Sequence, residues 1–296
     1  MTTNHNPPST NQPDPPFTSI AIIGLGLIGG SIALGVRERW PSIRIAAVDR
    51  PAVLAHGLGS GAIDRAAGSL SEIGTPDLVV LAAPVGENVT LLPQVAARVD
   101  STTIITDVGG TKRDIVRAAR ALPASHAFVG GHPIGGAEKG GFGFARPDLF
   151  AGRPWIFTPE SPEITGALDR LMQFARGLRA RPTMMDAAAH DRMMAFLSHL
   201  PQLTASTLME VVGGAAMSDG LRLAGRGLVD TTRLASSPAA VWRDICTANA
   251  DEIGQALDLL IARLSELRAD LERGEAIDLI FAEAARWRAE LMKGRD

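Results

Sequence analysis

A glycine-rich turn after a buried strand is the feature that most constrains the fold of this chain. Residues 20–23 are a wholly apolar run, and residues 24–29 follow it with the sequence G-L-G-L-I-G, which has the spacing G-x-G-x-x-G. Such runs are typical of strands buried on both faces of a parallel sheet. A helical pattern opens at about Gly29, and a second strand over 43–48 ends at Asp49, 20 residues after Gly29. Together these features predict a βαβ unit that binds a dinucleotide.

Each position of the motif has a physical role. The first glycine makes a tight turn, the second lets the backbone approach a pyrophosphate, and the third allows close packing of helix on strand. The helix N-terminus then faces the anionic phosphates. The Asp49 carboxylate suits the ribose hydroxyls of NAD and repels the 2′-phosphate of NADP, which Arg50 is able to accept, so we predict NAD in preference to NADP. The predicted cofactor-binding residues are Gly24, Gly26, Leu27, Ile28, Gly29, Asp49, Arg50, Ala83 and Pro84.

The order of elements predicts a chain of two folded parts. Apolar strands alternate with helical stretches of 10–15 residues as far as about residue 183, which is typical of a doubly wound sheet. The predicted strands beyond the first two are 78–83, 103–106, 127–130 and 154–158, and the helices include 85–99 and 112–121. Beyond residue 186 only helical patterns occur, and 253–271 carries an apolar stripe at helical spacing.

The predicted fold class is therefore α/β, with an N-terminal Rossmann-type doubly wound sheet followed by an all-helical C-terminal dimerisation domain. We assign 18–183 to the first domain and 184–296 to the second. Residues 1–17, rich in Thr, Asn and Pro, are predicted to be a disordered tail. Because several helices carry apolar stripes and two-fold dimers are the commonest assembly, we expect a homodimer.

Composition excludes several classes of protein. The formal net charge of −3, from 29 Lys+Arg against 32 Asp+Glu, argues against nucleic acid as a partner. Cys246 is the only cysteine, which rules out an intrachain disulfide framework or a cysteine-rich zinc site and fits the cytoplasm. We expect no membrane span, because no run of about 18 apolar residues occurs. No metal is expected, because the chain lacks H-E-x-x-H and clustered ligand spacings.

Further segments carry a family signature when they are taken in order with the glycine motif. They are T-D-V-G-G-T-K at 106–112, G-G-H-P-I-G-G-A-E-K-G at 130–140, S-H-L-P-Q at 198–202, D-T-T-R-L-A at 230–235 and W-R-D-I at 242–245. Over roughly 19–275 the chain resembles the prephenate/arogenate dehydrogenase family of tyrosine biosynthesis. The resemblance implies NAD(P)-dependent oxidative decarboxylation of prephenate to 4-hydroxyphenylpyruvate, CO2 and NADH. Oxidation of arogenate to tyrosine, or of both substrates as in a cyclohexadienyl dehydrogenase, stays open.

The resemblance implies that His132 is the base that takes the substrate hydroxyl proton. A neutral imidazole with an ordinary pKa of about 6.5 is able to accept a proton at cytoplasmic pH. We place His132 in a glycine-rich loop after a strand, at the sheet edge where doubly wound folds bind ligands. Relatives usually carry a serine where Gly110 stands, and its hydroxyl helps to orient the histidine. We therefore name Thr111, the next residue, as a hypothetical source of that hydroxyl and count it with His132 as catalytic.

The resemblance also implies a set of substrate contacts. The Arg233 guanidinium matches a carboxylate, the acid of the G-x-E-K stretch gates the pocket, and Gln202 stands where many relatives have a second histidine. The predicted substrate-binding residues are Arg233, His199, Gln202, Glu138 and Trp242. Trp242 is equally well explained as a buried core residue. His190 lies nine residues before His199, which is about 180° around a straight helix, so we expect it to face elsewhere as a helix-packing residue.

Two other functions stay in view. A dinucleotide-sensing binding protein would keep the glycine motif but need neither His132 nor Arg233. A hydroxyacid dehydrogenase of similar build would rely on a helical lysine, whereas the helical half has no lysine before Lys293. Oxidation of a dienol by NAD, the activity that the resemblance implies, is the prediction.

Overall fold

The computed structural model describes residues 14–136, 139–160 and 165–293, and its N-terminal half is built on one eight-stranded sheet. The spatial order is β3-β2-β1-β4-β5-β6-β7-β8. The strands are β1 Ser19–Ile23, β2 Arg44–Val48, β3 Arg65–Ala67, β4 Leu78–Leu81, β5 Ile104–Asp107, β6 Ala127–Pro133, β7 Pro154–Thr158 and β8 Arg181–Met184. All neighbouring strands are parallel except β6 and β7.

Helices cover both faces of this sheet. They are α1 Leu27–Arg39, α2 Pro51–Gly59, α3 Val85–Ala96, α4 Arg113–Ala119 and α5 Thr165–Gly177. Ile32 of α1 and Phe174 of α5 belong to the apolar core on one face. Leu92 of α3 and Ile115 of α4 belong to the core on the other. The two cores confirm the predicted doubly wound architecture.

Strand β6 changes partner halfway along its length. It pairs in parallel with β5 as far as Thr106↔Val129, and from Gly130 to Pro133 it pairs antiparallel with β7. We predicted a shorter strand, 127–130, followed by a glycine-rich loop that carries His132. Here the glycines permit close approach, since a Cβ on Gly131 would lie 2.7 Å from the carbonyl oxygen of Asp107. His132 therefore lies on a strand and not in a loop.

The predicted N-terminal tail needs one correction within the described residues. Phe17 is fully buried, and its ring packs edge-on against Phe174 at 5.7 Å between centroids. The Arg170 guanidinium donates to the carbonyl oxygen of Pro16 at 2.9 Å and lies over the Phe17 ring. The buried Phe17 side chain thus holds the start of the described chain against α5. Residues 1–13 of the predicted tail lie outside the described residues.

Within the described residues 187–293 the C-terminal half consists of helices joined by short turns, with no strand, as predicted. Its helices are α6 Ala187–Met194, α7 Leu200–Leu221, α8 Arg226–Thr231, α9 Ala239–Ala248, α10 Ala250–Ala269 and α11 Glu275–Met292. A π-helical turn, Ala195–His199, joins α6 to α7 without a break. The domain boundary at 183 and 184 stays a prediction; β8 ends at Met184. Across the described ranges, none of the helices is both long and apolar enough to cross a membrane.

We predict that Gly29→Ala destabilises the fold. A Cβ at Gly29 would lie 2.0 Å from the carbonyl oxygen of Gly24, so α1 must move away from the turn. Forced displacement in a packed region costs about 1–3 kcal/mol of unfolding free energy, measurable by urea denaturation. Gly86→Ala in α3 is the matched control, because its Cβ would meet nothing within 4 Å. Equal midpoints for the two variants would contradict the prediction.

Candidate active site

The glycine turn sits at the carboxyl end of β1 and opens onto empty space. Gly24 has φ +97°, which favours glycine, and its N–H donates to Val48 at 2.8 Å. A Cβ there would lie 2.6 Å from the backbone of Ala82. By contrast, a Cβ at Gly26 would meet nothing within 4 Å. A pyrophosphate therefore has room to approach the backbone at Gly26, immediately before α1 begins at Leu27.

Asp49 follows the last residue of β2 and lies beside the turn. Its Oδ2 accepts the Leu25 N–H at 2.6 Å, and its Oδ1 accepts the Arg50 N–H at 2.6 Å. The Arg50 side chain is 87% exposed, with its Nε 3.8 Å from the same Oδ1. The carboxylate is thus fixed next to the glycines while its remaining lone pairs stay able to accept ribose hydroxyls. These residues fit a dinucleotide.

The other predicted cofactor contacts line the same edge of the sheet. Ala83 and Pro84 come after β4, which is the neighbour of β1. The Ala83 N–H is held by the buried side chain of Asn88 at 3.1 Å, and Asn88 also donates to Leu81 at 3.2 Å. Leu27 and Ile28 form the first turn of α1.

His132 lies on the same edge, in the half of β6 that pairs with β7. Its Nδ1 is 2.9 Å from Nε2 of His190, whose Nδ1 is 2.8 Å from Oδ1 of Asp191. His132 is half-buried, and both His190 and Asp191 are fully buried. The three side chains form a continuous relay that runs from the sheet into α6.

The relay fixes which nitrogen of His132 is basic. Burial opposes ionisation of Asp191, but hydrogen bonds from His190 and from the N–H groups of Arg113 and Lys112 outweigh it and lower the pKa of the carboxyl. An ionised Asp191 only accepts, so His190 carries its proton on Nδ1 and its Nε2 accepts from Nδ1–H of His132. Nε2 of His132 is then left with a free lone pair.

His132 is held neutral by its surroundings. Burial, the neighbouring His190, the Lys112 ammonium and His199 lower the pKa of His132 well below its usual 6.5. Burial likewise lowers the pKa of His199 to about 4. The Trp242 ring packs edge-on against His199 at 6.0 Å between centroids, so both predicted residues lie in one cluster. Neutral imidazoles accept protons, which a base requires.

Our prediction for His190 was wrong, because the helix between it and His199 is not regular. A π turn holds more residues per turn than an α turn, so the segment Ala195–His199 shifts the angular position of everything after it. His190 consequently contacts His132 and does not merely pack helices together. The adjacent acid, Asp191, was the available sequence signal, since a carboxylate often orients a functional histidine.

Thr111 does not supply the hydroxyl that we assigned to it. Its side chain is buried, and its Oγ1 has no hydrogen-bond partner. A Cβ at Gly110 would lie 4.0 Å from Nε2 of His132 and 3.7 Å from Ile245 of α9. Position 110 therefore borders the basic nitrogen, whereas the next side chain is enclosed in the interior. In this chain His190 orients His132.

The Gln202 side chain likewise forms its hydrogen bonds within the protein. Its Nε2 donates to the Leu234 carbonyl at 2.7 Å, and its Oε1 accepts from the Ser237 hydroxyl at 3.0 Å. Both ends of the buried amide are thus used internally, so the structure does not support its predicted contact with substrate. Gln202 instead tethers the 3₁₀ turn that starts at exposed Arg233. Glu138, the predicted gating residue, lies outside the described residues.

The arrangement defines a class of protein: a dinucleotide-binding fold with a neutral histidine base at the cofactor edge of its sheet. Within the described ranges, His, Cys, Asp and Glu side chains form no group of three or more able to hold a metal ion. Proton abstraction coupled to hydride transfer is the chemistry that these groups support.

Comparison with known proteins identifies the family. The family model "Prephenate dehydrogenase, nucleotide-binding domain" matches residues 32–184, and "Prephenate dehydrogenase, dimerization domain" matches 186–282. The prephenate dehydrogenase of Bacillus subtilis is 35% identical over 262 residues, covering 86% of this chain and 70% of the relative. The cyclohexadienyl dehydrogenase of Zymomonas mobilis is 30% identical over 260 residues, with coverages of 85% and 88%. The chain belongs to the prephenate dehydrogenase family.

A solved relative has the same fold. The prephenate dehydrogenase from Aquifex aeolicus, in complex with hydroxyphenyl propionate and NAD+, superposes with a TM-score of 0.85 at 26% identity. The match covers 93% of this chain and 98% of the other.

We predict that the His132 imidazole stays neutral as the pH falls through the usual histidine midpoint of about 6.5 and is protonated only at a lower pH, because its pKa is lowered. The measurement is an NMR titration of the histidine Cε1–H signals. His132→Asn identifies the His132 signal by its loss. A midpoint at or above 6.5 would contradict the prediction, because burial and three nearby imidazole or ammonium groups all disfavour the cation.

Proposed function

We propose that this chain catalyses the NAD-dependent oxidative decarboxylation of prephenate to 4-hydroxyphenylpyruvate, CO2 and NADH. One observation carries the proposal. The relay from Asp191 through His190 leaves Nε2 of His132 basic at the sheet edge that also holds the glycine turn. Membership of the prephenate dehydrogenase family agrees with this chemistry.

His132 takes the proton from the ring hydroxyl as the reaction proceeds. NAD, when bound, supplies the acceptor for the hydride from the carbon that bears that hydroxyl. The ring carboxylate leaves as CO2, and its bonding electron pair enters the ring, which becomes aromatic as a phenolate; the phenolate oxygen then takes the proton back from the His132 imidazolium. Because aromatisation drives the reaction, the protein has mainly to position the substrate and receive the proton. Asp191 stabilises the imidazolium through His190.

The cofactor is held by the glycine turn and the acid beside it. The N-terminus of α1 faces the pyrophosphate across the open space at Gly26. Asp49 binds the ribose hydroxyls, and its negative charge favours NAD over NADP. Arg50 projects into solvent and is able to meet a phosphate there, so NADP is the less favoured alternative.

Arg233, His199 and Trp242 complete the substrate site in this proposal. The Arg233 guanidinium binds a carboxylate of the substrate, and Gln202 fixes the turn that carries it. His199 and Trp242, which pack against each other near His132, border the ring. Prephenate and arogenate differ only in a keto or an amino group on the side chain, so arogenate is the alternative substrate.

The helical half forms a homodimer in this proposal. Large apolar side chains stand exposed along α10 and α11, including Leu264 at 54%, Leu279 at 70% and Phe281 at 68%. A second copy of the chain would bury them in a two-fold interface. We place the enzyme in the cytoplasm, where the free Cys246 stays reduced.

We predict that purified protein reduces NAD with prephenate and that His132→Asn lowers kcat by about 10²–10⁴-fold. Steady-state absorbance of reduced nicotinamide measures both, with arogenate and NADP as competing substrates. His56→Asn is the matched control, because His56 is exposed on α2 and belongs to no part of the relay. A chain that binds NAD but turns over neither prephenate nor arogenate would support the dinucleotide-sensing alternative instead.

We predict that the protein in solution has about twice the chain mass of 31.1 kDa by light scattering. Leu279→Glu combined with Leu264→Glu should shift it towards monomer by placing charges in the apolar interface. Leu58→Glu on α2 is the control, because Leu58 is 43% exposed in the other domain and should leave the dimer intact. A wild-type monomer would refute this part of the proposal.

A further inference from the structure

The strand that carries His132 loses its backbone partner just before the histidine. Ladder pairing of β6 with β5 ends at Val129, and only β7 pairs with the residues that follow. Gly131, directly before the base, therefore presents its N–H and C=O where no β5 backbone meets them. Buried peptide groups need partners, and here two side chains supply them.

A buried ion pair of Lys112 and Asp107 provides those partners. The Gly131 N–H donates to Oδ1 of Asp107 at 3.1 Å, and Nζ of Lys112 donates to the Gly131 carbonyl at 2.7 Å. Oδ2 of Asp107 accepts from Nζ of Lys112 and from the Gly109 N–H at 2.8 Å. Lys112 has no exposed surface and Asp107 only 1%.

We propose that Lys112 and Asp107 are positioning residues for the base, because together they fix the peptide next to His132 against the loop that follows β5. This inference rests on the proposed function. Neither side chain had a role in the sequence-based site, and neither contacts His132 through a hydrogen bond. They act through Gly131, whose two peptide groups they hold at once.

The pair also contributes to the charge around the base. The groups facing His132 are His190 and His199 from the helical half and Lys112 from the start of α4, with Asp191 behind His190 and Asp107 behind Lys112. The Lys112 ammonium disfavours a proton on His132. Burial lowers the pKa of Lys112 itself, against the attraction of Asp107. Removing Lys112 should therefore raise the proton affinity of His132.

If the Lys112–Asp107 pair only stabilised the fold, its desolvation would cost free energy with little return. Two charges are removed from water, and replacing such a pair by apolar residues often leaves stability unchanged. The Lys112–Asp107 pair, however, forms hydrogen bonds to β6 beyond the point where β6 stops pairing with β5. Apolar packing does not hold a backbone segment with comparable directional precision. Displacement of a catalytic group by about 1 Å can cost a factor on the order of 10² in rate.

The test uses the full chain and two variants. Asp107→Asn/Lys112→Met removes both charges and leaves no lone buried charge, and Lys112→Met removes the ammonium alone. We expect both to lower kcat by roughly 10-fold to 10²-fold, with KM for NAD and prephenate within about twofold of wild type. We also expect the His132 Cε1–H titration to move up by roughly half a pH unit or more in Lys112→Met, and by less in the double variant, where the opposing charge of Asp107 is removed as well.

Arg37→Met is the matched control. Arg37 forms an ion pair with Asp64 in the same domain and donates to backbone carbonyls, but it lies on α1 far from the relay in sequence. It should alter stability without moving kcat or the His132 titration. The NMR titration is independent of turnover, so it tests the role of Lys112 and Asp107 even where prephenate is not the substrate. Failure of the proposed function is detected separately, because the wild-type protein would then lack activity with prephenate.

Unchanged kcat and an unchanged His132 titration in a folded double variant would overturn the proposal. So would loss of folding in both variants, judged by near-ultraviolet circular dichroism, because the pair would then serve the fold and not the base. A rise in KM without a fall in kcat would also overturn it, since that pattern indicates lost binding and not a displaced base.

Discussion

The site depends on the carboxylate of Asp191, which joins the sheet to the helices. Its Oδ1 accepts the Lys112 N–H at 2.7 Å as well as the His190 ring, and its Oδ2 accepts the Arg113 N–H at 2.9 Å. The Asn249 amide donates to the Asp191 carbonyl at 2.8 Å. One fully buried residue of α6 thus fixes the start of α4, the orientation of His190 and the approach of the C-terminal helices. Removing it would leave several buried donors unpaired at once.

The hydrogen bonds of Asp191 explain how His132 is oriented although no hydroxyl lies beside it. Gly110 offers no side chain next to Nε2 of His132, although a Cβ at that position would lie 4.0 Å from this nitrogen. Orientation comes from the opposite side of the ring, through Nδ1 and His190. The basic nitrogen is left for the substrate, and the geometry of the base depends on the packing of the helical half against the sheet.

The parts of the fold predictable from sequence are those encoded locally. The glycine turn, the buried runs and β7 at 154–158 were found because apolar periodicity and glycine spacing act within a few residues. Strand β3 escaped detection because it has only three residues, and β8 because it contains Pro182 and is largely exposed. His190 and Gln202 were misjudged for a different reason. Their roles depend on a π turn and on a tethered loop, which are set by tertiary contacts.

The depressed proton affinity of His132 suits the charge of the proposed substrate. A base surrounded by an ammonium and two other imidazoles is a poor proton acceptor before substrate binds, which keeps it neutral. Prephenate brings two carboxylates, and negative charge near an imidazole favours its protonated form. Proton affinity therefore rises when substrate is bound, which is when the proton must be taken. As the ring carboxylate departs as neutral CO2, its share of that attraction is lost, and the imidazolium is disfavoured more than in the substrate complex. The same charges that hold the base ready would thus help to release its proton after turnover.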